Sequence, residues 1–225
     1  IVNELLQSGA KVFATGTNLI QVEKLNKENK NLLLTYLQLD LSEPNNVRNF
    51  ISKILKVTHI DILVNNAGIN IVSDADTIFD EEFLQIQEIN VHGPFLLAQA
   101  FGKQMLNKNW GRIINISSIW GVVTRPGRLS YSASKMALLG ISKTLAVEWA
   151  KNNVLVNSVS PGFTLTELTK TTNTKQELKE IENKIPQNRL ALPEEIAKGV
   201  LFLSSNLNSY IVGQNLIIDG GYTAI

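Results

Sequence analysis

The sequence predicts an α/β fold, a doubly wound parallel sheet contained in a single domain. Three observations carry that expectation. Short β-branched runs at 61–64, 113–116 and 154–159 read as buried strands, and segments with apolar residues spaced three and four apart lie between them. Strands that alternate with helical crossovers form parallel sheets covered by helices on both faces, and right-handed crossovers set the topology. The chain has 225 residues, 44% of them hydrophobic, enough for one sizeable core, and no linker divides it.

Composition narrows the function classes. Lysine and arginine number 21 against 20 aspartates and glutamates, for a net charge of +1. The lysines are scattered among acids, so no basic stripe asks for nucleic acid. No apolar run approaches the roughly 20 residues of a membrane-spanning helix. The opening residues, IVNELLQSGAKV, lack the basic region and cleavage site of a secretory signal. A soluble, cytoplasmic protein that engages neither membrane nor nucleic acid is expected. There is no cysteine, which excludes disulfides and thiolate sites, and His59 and His92 are too few for a histidine cluster, so no catalytic metal is predicted. His92 is expected to pack or cap rather than to exchange protons.

Taken in order, Ile1, Val2, Leu5 and Leu6 make one helical stripe that Gly9 ends, and a strand at 11–15 runs into Thr15-Gly16-Thr17-Asn18. A strand at 32–39 ends in Asp40-Leu41. Ser42 is expected to cap a helix with Pro44 in its first turn and Val47, Phe50, Ile51, Ile54 and Leu55 on its buried face. The strand at 61–64 opens into Asn65-Asn66-Ala67-Gly68, small and amide residues at a strand end, where an α/β sheet leaves room for a ligand. A long helical segment is predicted from about 80 to 106, bent at Gly93-Pro94. The strand at 113–116 stops on Ser117-Ser118, a Gly/Pro-containing loop follows, and a helix begins near Tyr131 with Met136, Leu138, Leu139, Ile141, Leu145 and Val147 at helical spacing. The strand at 154–159 leads into Ser160-Pro161-Gly162-Phe163-Thr164-Leu165-Thr166. Residues 167–186 are polar and lysine-rich, with a weakly amphipathic helix at 176–185, and a substrate lid is expected at about 167–190. A helix to Leu203 and a last strand before Asp219-Gly220-Gly221 close the chain.

The chemistry gathers between 111 and 148. Tyr131 and Lys135 stand four residues apart and project from one helix face. A phenol with a pKa of about 10 is a poor acid or base at neutral pH, and bringing it near 7 takes about 4 kcal/mol. A lysine about 4 Å away supplies on the order of 4 kcal/mol at an effective dielectric of 20. Ser118, thirteen residues before Tyr131 at the end of the preceding strand, is placed to hold a substrate oxygen beside the phenol. The trio would protonate or deprotonate a carbonyl or alcohol oxygen.

Ser-Ser-x-x-Gly at a strand end, followed at that interval by Tyr131-Ser-Ala-Ser-Lys135, resembles the short-chain dehydrogenase/reductase family, in particular its 3-oxoacyl-carrier-protein reductase and tropinone reductase-like members. The resemblance continues along nearly the whole chain: Asn65-Asn-Ala-Gly68, Asn90-Val-His-Gly-Pro-Phe95, Pro161-Gly-Phe-Thr-Leu-Thr166, the segment from Arg189 to Ala197 (with Ala191 where the family has glycine) and the Asp219-Gly-Gly ending. It implies a Rossmann-like fold and hydride transfer between nicotinamide and a small-molecule carbonyl or secondary alcohol. Tyr131 would be the acid/base, Lys135 would lower its pKa and hold the nicotinamide ribose, Ser118 would orient substrate, and Asn90 would support a proton relay. It further implies cofactor contacts from Asp40 and Leu41 near the adenine, from Asn66, Ala67 and Gly68, and from Pro161, Gly162, Thr164 and Thr166 near the nicotinamide. NAD-selective dinucleotide folds place an acid where this chain has Thr15 and Thr17, so NADP(H) is favoured over NAD(H).

The family's first strand and glycine-rich phosphate turn are not among these residues, so a fragment is expected; the alternative is a truncated, inactive, cofactor-free subunit of the same fold. The helices beginning near Asp80 and Tyr131 are expected to pack against their copies in a homodimer or homotetramer. Trp120, Arg125 and Arg128 lie in the loop between Ser118 and Tyr131. An arginine there binds a substrate carboxylate or phosphate, or else solvates the loop or pairs across subunits. A carrier-protein thioester, a sugar and a small ketone all stay open as substrates.

Overall fold

The computed structural model describes residues 1–166, 169 and 174–224. The helices described are α1 (Val2–Gln7), α2 (Leu19–Glu28), α3 (Pro44–Val57), α4 (Asp80–Gln87), α5 (Gly93–Lys108), α6 (Leu129–Trp149), α7 (Lys175–Glu182) and α8 (Pro193–Ser204). The strands are β1 (Val12–Gly16), β2 (Leu34–Gln38), β3 (Ile62–Asn65), β4 (Gly111–Ile116), β5 (Val154–Pro161) and β6 (Asn215–Ile218). Every strand pairing is parallel, as predicted, but the strands fall into two sheets. β1 pairs with β2, and β3-β4-β5-β6 run side by side. No strand among the described residues pairs with both β1 and β3.

The four-stranded sheet is covered on both faces, which makes the fold doubly wound. Side chains alternate along β4, so Ile113 joins Met105, Phe101, Val47, Ile51 and Leu145 from α5, α3 and α6 on one side. Ile114 and Ile116 meet Ile196, Val200 and Leu203 of α8 on the other. Ile113, Ile114, Val154, Val156 and Val159 are completely buried, each worth about 1.5–3 kcal/mol of apolar transfer. α5 and α6 approach closely because Gly102 carries no side chain; a Cβ there would lie 2.5 Å from the Trp149 ring.

Through this apolar core runs a row of polar side chains. Asn65, Asn115 and Ser158 are register partners on β3, β4 and β5. Asn65 donates to Asn115 Oδ1 at 2.8 Å, Asn115 donates to Ser142 Oγ of α6 at 2.8 Å, and Ser158 donates to the same oxygen at 2.8 Å. Ser142 passes its own proton to the Leu138 carbonyl. Buried polar groups are tolerated when they are bonded in this way, and the row ties α6 to the sheet.

Several local expectations change. α2 carries too little apolar pattern to stand out; only Val22 is buried, and Asn18 caps it by accepting from the Gln21 amide at 3.0 Å. Ser42 does not cap α3, because its hydroxyl and amide both donate to Asp40 Oδ1; Glu43 takes the cap position, and Leu55 is exposed. The segment from 80 to 108 is continuous but widens into a π-turn at Glu88–His92, directly before Gly93-Pro94. His92 is tied to Glu88 at 2.7 Å within that turn. On α6 the apolar positions are divided: Leu138 and Leu145 are buried and Ile141 packs against the core, while Met136 and Val147 face outward, and Ser130, Ser132, Ser134, Lys135 and Ser142 are buried as well. Of the expected lid, residues 167, 168 and 170–173 lie outside the described residues, and α7 starts from a capping box between Thr174 and Glu177. No helix among the described residues is long and apolar enough to cross a membrane.

Candidate active site

The site forms where β3, β4 and β5 end and α6 begins. β4 delivers Ser117 and Ser118. A 3-10 turn, Ile119–Gly121, then lays the chain against α6 so closely that a Cβ on Gly121 would meet Ser117 Oγ at 2.8 Å and the Lys135 carbonyl at 3.1 Å. Ser118 Oγ accepts from the Trp120 amide at 3.2 Å, and its side chain acts on the titration of the Tyr131 phenol. Ser117 donates to the Lys135 carbonyl at 3.0 Å. The strand end and the first turns of α6 are thus fastened together with Ser118, Tyr131 and Lys135 on one side.

Lys135 is 3% exposed, and its Nζ donates to the Ile116 carbonyl at 2.8 Å. The ammonium lies 5.5 Å from the centroid of the Tyr131 ring. Burial disfavours the charged amine and lowers its pKa to about 8. The expected direction for Tyr131 is reversed: burial of the phenol raises its pKa, and what opposes the rise is the Ser118 side chain and the positive charge of Arg128. Removing a phenol from water penalises phenolate, and Lys135 spends a proton on a backbone carbonyl.

Asn90 sits in the π-turn, 1% exposed. Its side chain accepts from the Ile69 amide and donates to the Ile69 carbonyl, both at 2.9 Å, and donates to Ser134 Oγ at 3.0 Å. Ser134 in turn donates to the Tyr131 carbonyl at 2.7 Å. Asn90 therefore clamps the segment after β3 onto α6. Gly68 lets that segment come close: a Cβ would fall 3.1 Å from Asn90 Oδ1 and 3.3 Å from Lys135 Nζ. Ser134 escaped notice in the sequence, although its place three residues after Tyr131 on the same helix face is the signal that could have found it.

A cavity of about 480 Å³ opens beside these groups, lined by Asn66, Ile116, Pro161, Thr164, Thr166 and the start of α1. Amide and hydroxyl groups at the C-terminal ends of parallel strands suit the polar edge of a dinucleotide. Thr164 Oγ1 donates to the Gly162 carbonyl at 3.2 Å, and Thr166 Oγ1 accepts from the Thr169 amide. Gly162 is required where it stands, since a Cβ would lie 2.7 Å from Asp219 Cα. Thr15, Thr17, Asp40 and Leu41 do not line this cavity. They sit at the ends of β1 and β2, where Thr15 and Thr17 are exposed, the Thr17 carbonyl accepts from Gln38, Asp40 holds Ser42, and Leu41 is buried against Gly93. No group of three or more potential metal-ligating side chains occurs among the described residues.

On the other side of Ser118 the loop to α6 builds an aromatic wall. Trp120 meets Phe163 and Tyr222 edge-on at 6.0 and 6.2 Å, and the last two meet at 5.3 Å. The Arg125 guanidinium lies 5.3 Å from the Trp120 ring centroid.

The chain matches the family model described as enoyl-(acyl carrier protein) reductase over residues 1–223. It is 39% identical over 221 residues to a 3-oxoacyl-acyl-carrier-protein reductase of Rickettsia prowazekii, spanning 98% of this chain and 90% of that protein. It is 39% identical over 188 residues to an NAD-dependent glycerol dehydrogenase of Listeria innocua, spanning 83% and 74%. Among solved structures, gluconate 5-dehydrogenase from Burkholderia cenocepacia in complex with NADP and tartrate superposes with a TM-score of 0.92 at 28% identity, over 99% of this chain and 89% of that one.

Proposed function

The chain belongs to the short-chain dehydrogenase/reductase family and is an NAD(P)-dependent dehydrogenase, and on that premise we propose that it interconverts a carbonyl and a secondary alcohol, with Tyr131 as the general acid/base and NADP(H) favoured over NAD(H). The observation that carries this reading is the half-buried Tyr131 phenol, with the Lys135 ammonium 5.5 Å from its ring on the same helix and Ser118 close enough to act on its titration. When bound, the nicotinamide supplies hydride to the substrate carbon or takes it away. Ser118 orients the substrate oxygen beside the phenol. In the reduction direction Tyr131, which its environment keeps protonated at neutral pH, donates to that oxygen; in oxidation it takes the proton back.

Lys135, fixed by the Ile116 carbonyl, would hold the nicotinamide ribose, and Asn90 with Ser134 would support proton exchange with solvent. Asn66, Pro161, Gly162, Thr164 and Thr166 would bind along the cavity, with Ala67 and Gly68 giving the ligand room. Thr15, Thr17, Asp40 and Leu41 would meet the adenosine half. The preference for NADP(H) is supported by the lack of a carboxylate from Thr15 to Asn18, where it would repel a 2′-phosphate. A homo-oligomer belongs to the same reading, because α6 exposes 46% of Met136 and 85% of Val147.

Fluorescence titration with NADPH and NADH tests the preference, and Tyr131→Phe tests the acid/base role. The variant is expected to lose turnover by about a hundredfold or more while NADPH binding stays nearly intact. Turnover equal to wild type removes Tyr131 from the reaction.

A further inference from the structure

Arg128 ends the loop that begins at Ser118 and occupies the cap position of α6, three residues before Tyr131. Its Nε and Nη1 are buried, and neither has a hydrogen-bond partner. The other arginines with a described role are engaged. Arg112 donates to the carbonyls of Gly111, Asn153 and Asn208, leaving only Nε open, and Arg189 grips Glu195 through two bonds of 2.7 Å. Two guanidinium nitrogens withdrawn from water with their donors open are costly, and an anion that meets them removes the cost.

The surroundings point the same way. Arg125 is near enough for its charge to act on Arg128, and no carboxylate among the described residues pairs with either. Arg125 also lies over Trp120, which leads the aromatic wall described above. Arg128 stands three residues before Tyr131 at the start of the same helix, and the charges of the two groups act on each other.

We propose that the substrate carries a carboxylate within a few carbons of its reacting carbonyl, and that Arg128 is the specificity-determining residue that receives it while Ser118 and Tyr131 hold the carbonyl oxygen. The planar guanidinium fits a carboxylate through two parallel bonds. Arg125 adds attraction at the edge of the aromatic wall. The substrate class is thus a short oxo acid or hydroxy acid rather than a neutral ketone or a thioester. This rests on the oxidoreductase reading above.

The test compares acetoacetate with ethyl acetoacetate, which differ in charge and keep the same reacting carbonyl, under NADPH with the full chain. Wild type is expected to favour the acid by about tenfold or more in kcat/KM. Arg128→Gln should lower the acid-to-ester ratio by about 30-fold, mainly through KM for the acid, and Arg128→Lys should restore part of it. Malonate binding by calorimetry without cofactor gives a readout independent of turnover, expected for wild type and lost in Arg128→Gln. A wild type that favours the ester, a ratio unchanged by Arg128→Gln, or equal malonate binding by both overturns the inference. If wild type reduces neither compound but binds malonate through Arg128, the anion site stands and the oxidoreductase reading is what fails.

Discussion

Lys135 places an ionisable amine where water is nearly excluded, and its titration should be visible in the stability of the whole fold. Its pKa in the folded protein is about 8, against 10.5 for the free group, because burial disfavours the ammonium. At 3% exposure, solvent screening does little to reduce the effect. The sign follows from proton counting. Between about pH 8 and 10.5 the unfolded chain keeps the proton that the folded one has released, so stability rises with pH across that window and the gain is absent below pH 8. The full difference is about 3 kcal/mol, of which about 1.4 kcal/mol is present by pH 9 and about 2 by pH 9.5. Lys135→Met keeps the straight side chain and removes the titration. At pH 7 the variant gains relief from the buried charge and loses the charge-assisted bond to Ile116, worth about 1.5–3 kcal/mol, so the two should nearly offset. Urea unfolding followed by tryptophan fluorescence at pH 7, 8, 9 and 9.5 measures both proteins. Stability of wild type minus that of the variant should climb by about 1.4 kcal/mol from pH 7 to 9. A difference constant to within about 0.3 kcal/mol would refute the reasoning, since Lys135 would then keep its charge in a site more polar than its burial implies.

Three other perturbations probe the fold and assembly. Gly102→Ala pushes a methyl group to within 2.5 Å of the Trp149 ring, so α5 and α6 must separate; a loss of about 1–3 kcal/mol by chemical denaturation is expected. Asn115→Ala leaves Asn65 and Ser142 without their mutual partner inside the sheet, and should cost about 2–4 kcal/mol, whereas a loss below about 0.5 kcal/mol would show that water replaces the amide. Wild type should be a dimer or tetramer by light scattering at micromolar concentration, and Met136→Glu combined with Val147→Glu should shift it toward monomer; a monomeric wild type ends that expectation.

The strands were legible because β-branched and aliphatic residues dominate strands buried on both faces, as Ile113, Ile114 and Ile116 and Val154, Val156 and Val159 do here, even with Asn115, Asn157 and Ser158 buried among them. The closeness of Ser118, Tyr131 and Lys135 was legible because a fixed interval along a strand, loop and helix brings them to one place, and the strand end is tied to the helix there through Ser117 and Ile116. α2 was not legible, because a helix with a single buried side chain leaves little periodic trace. On α6 Leu138 and Leu145 were legible, but the polar part of its inner face was not: Ser134 and Ser142 are held by Asn90, Asn115 and Ser158 on other elements, which no local pattern reports.

By itself, then, the sequence determined the order and type of the main elements and which side chains could carry the chemistry, since both depend on residue types at short fixed spacing. Only the tertiary structure decided the electrostatics. Whether Tyr131 titrates above or below its ordinary value, whether Lys135 meets the hydroxyl or a backbone carbonyl, and whether Nε and Nη1 of Arg128 are solvated or buried without a partner depend on what the rest of the chain packs around them. Desolvation and Coulomb energies are set by distances between groups far apart in sequence, and those distances exist only once the chain has folded.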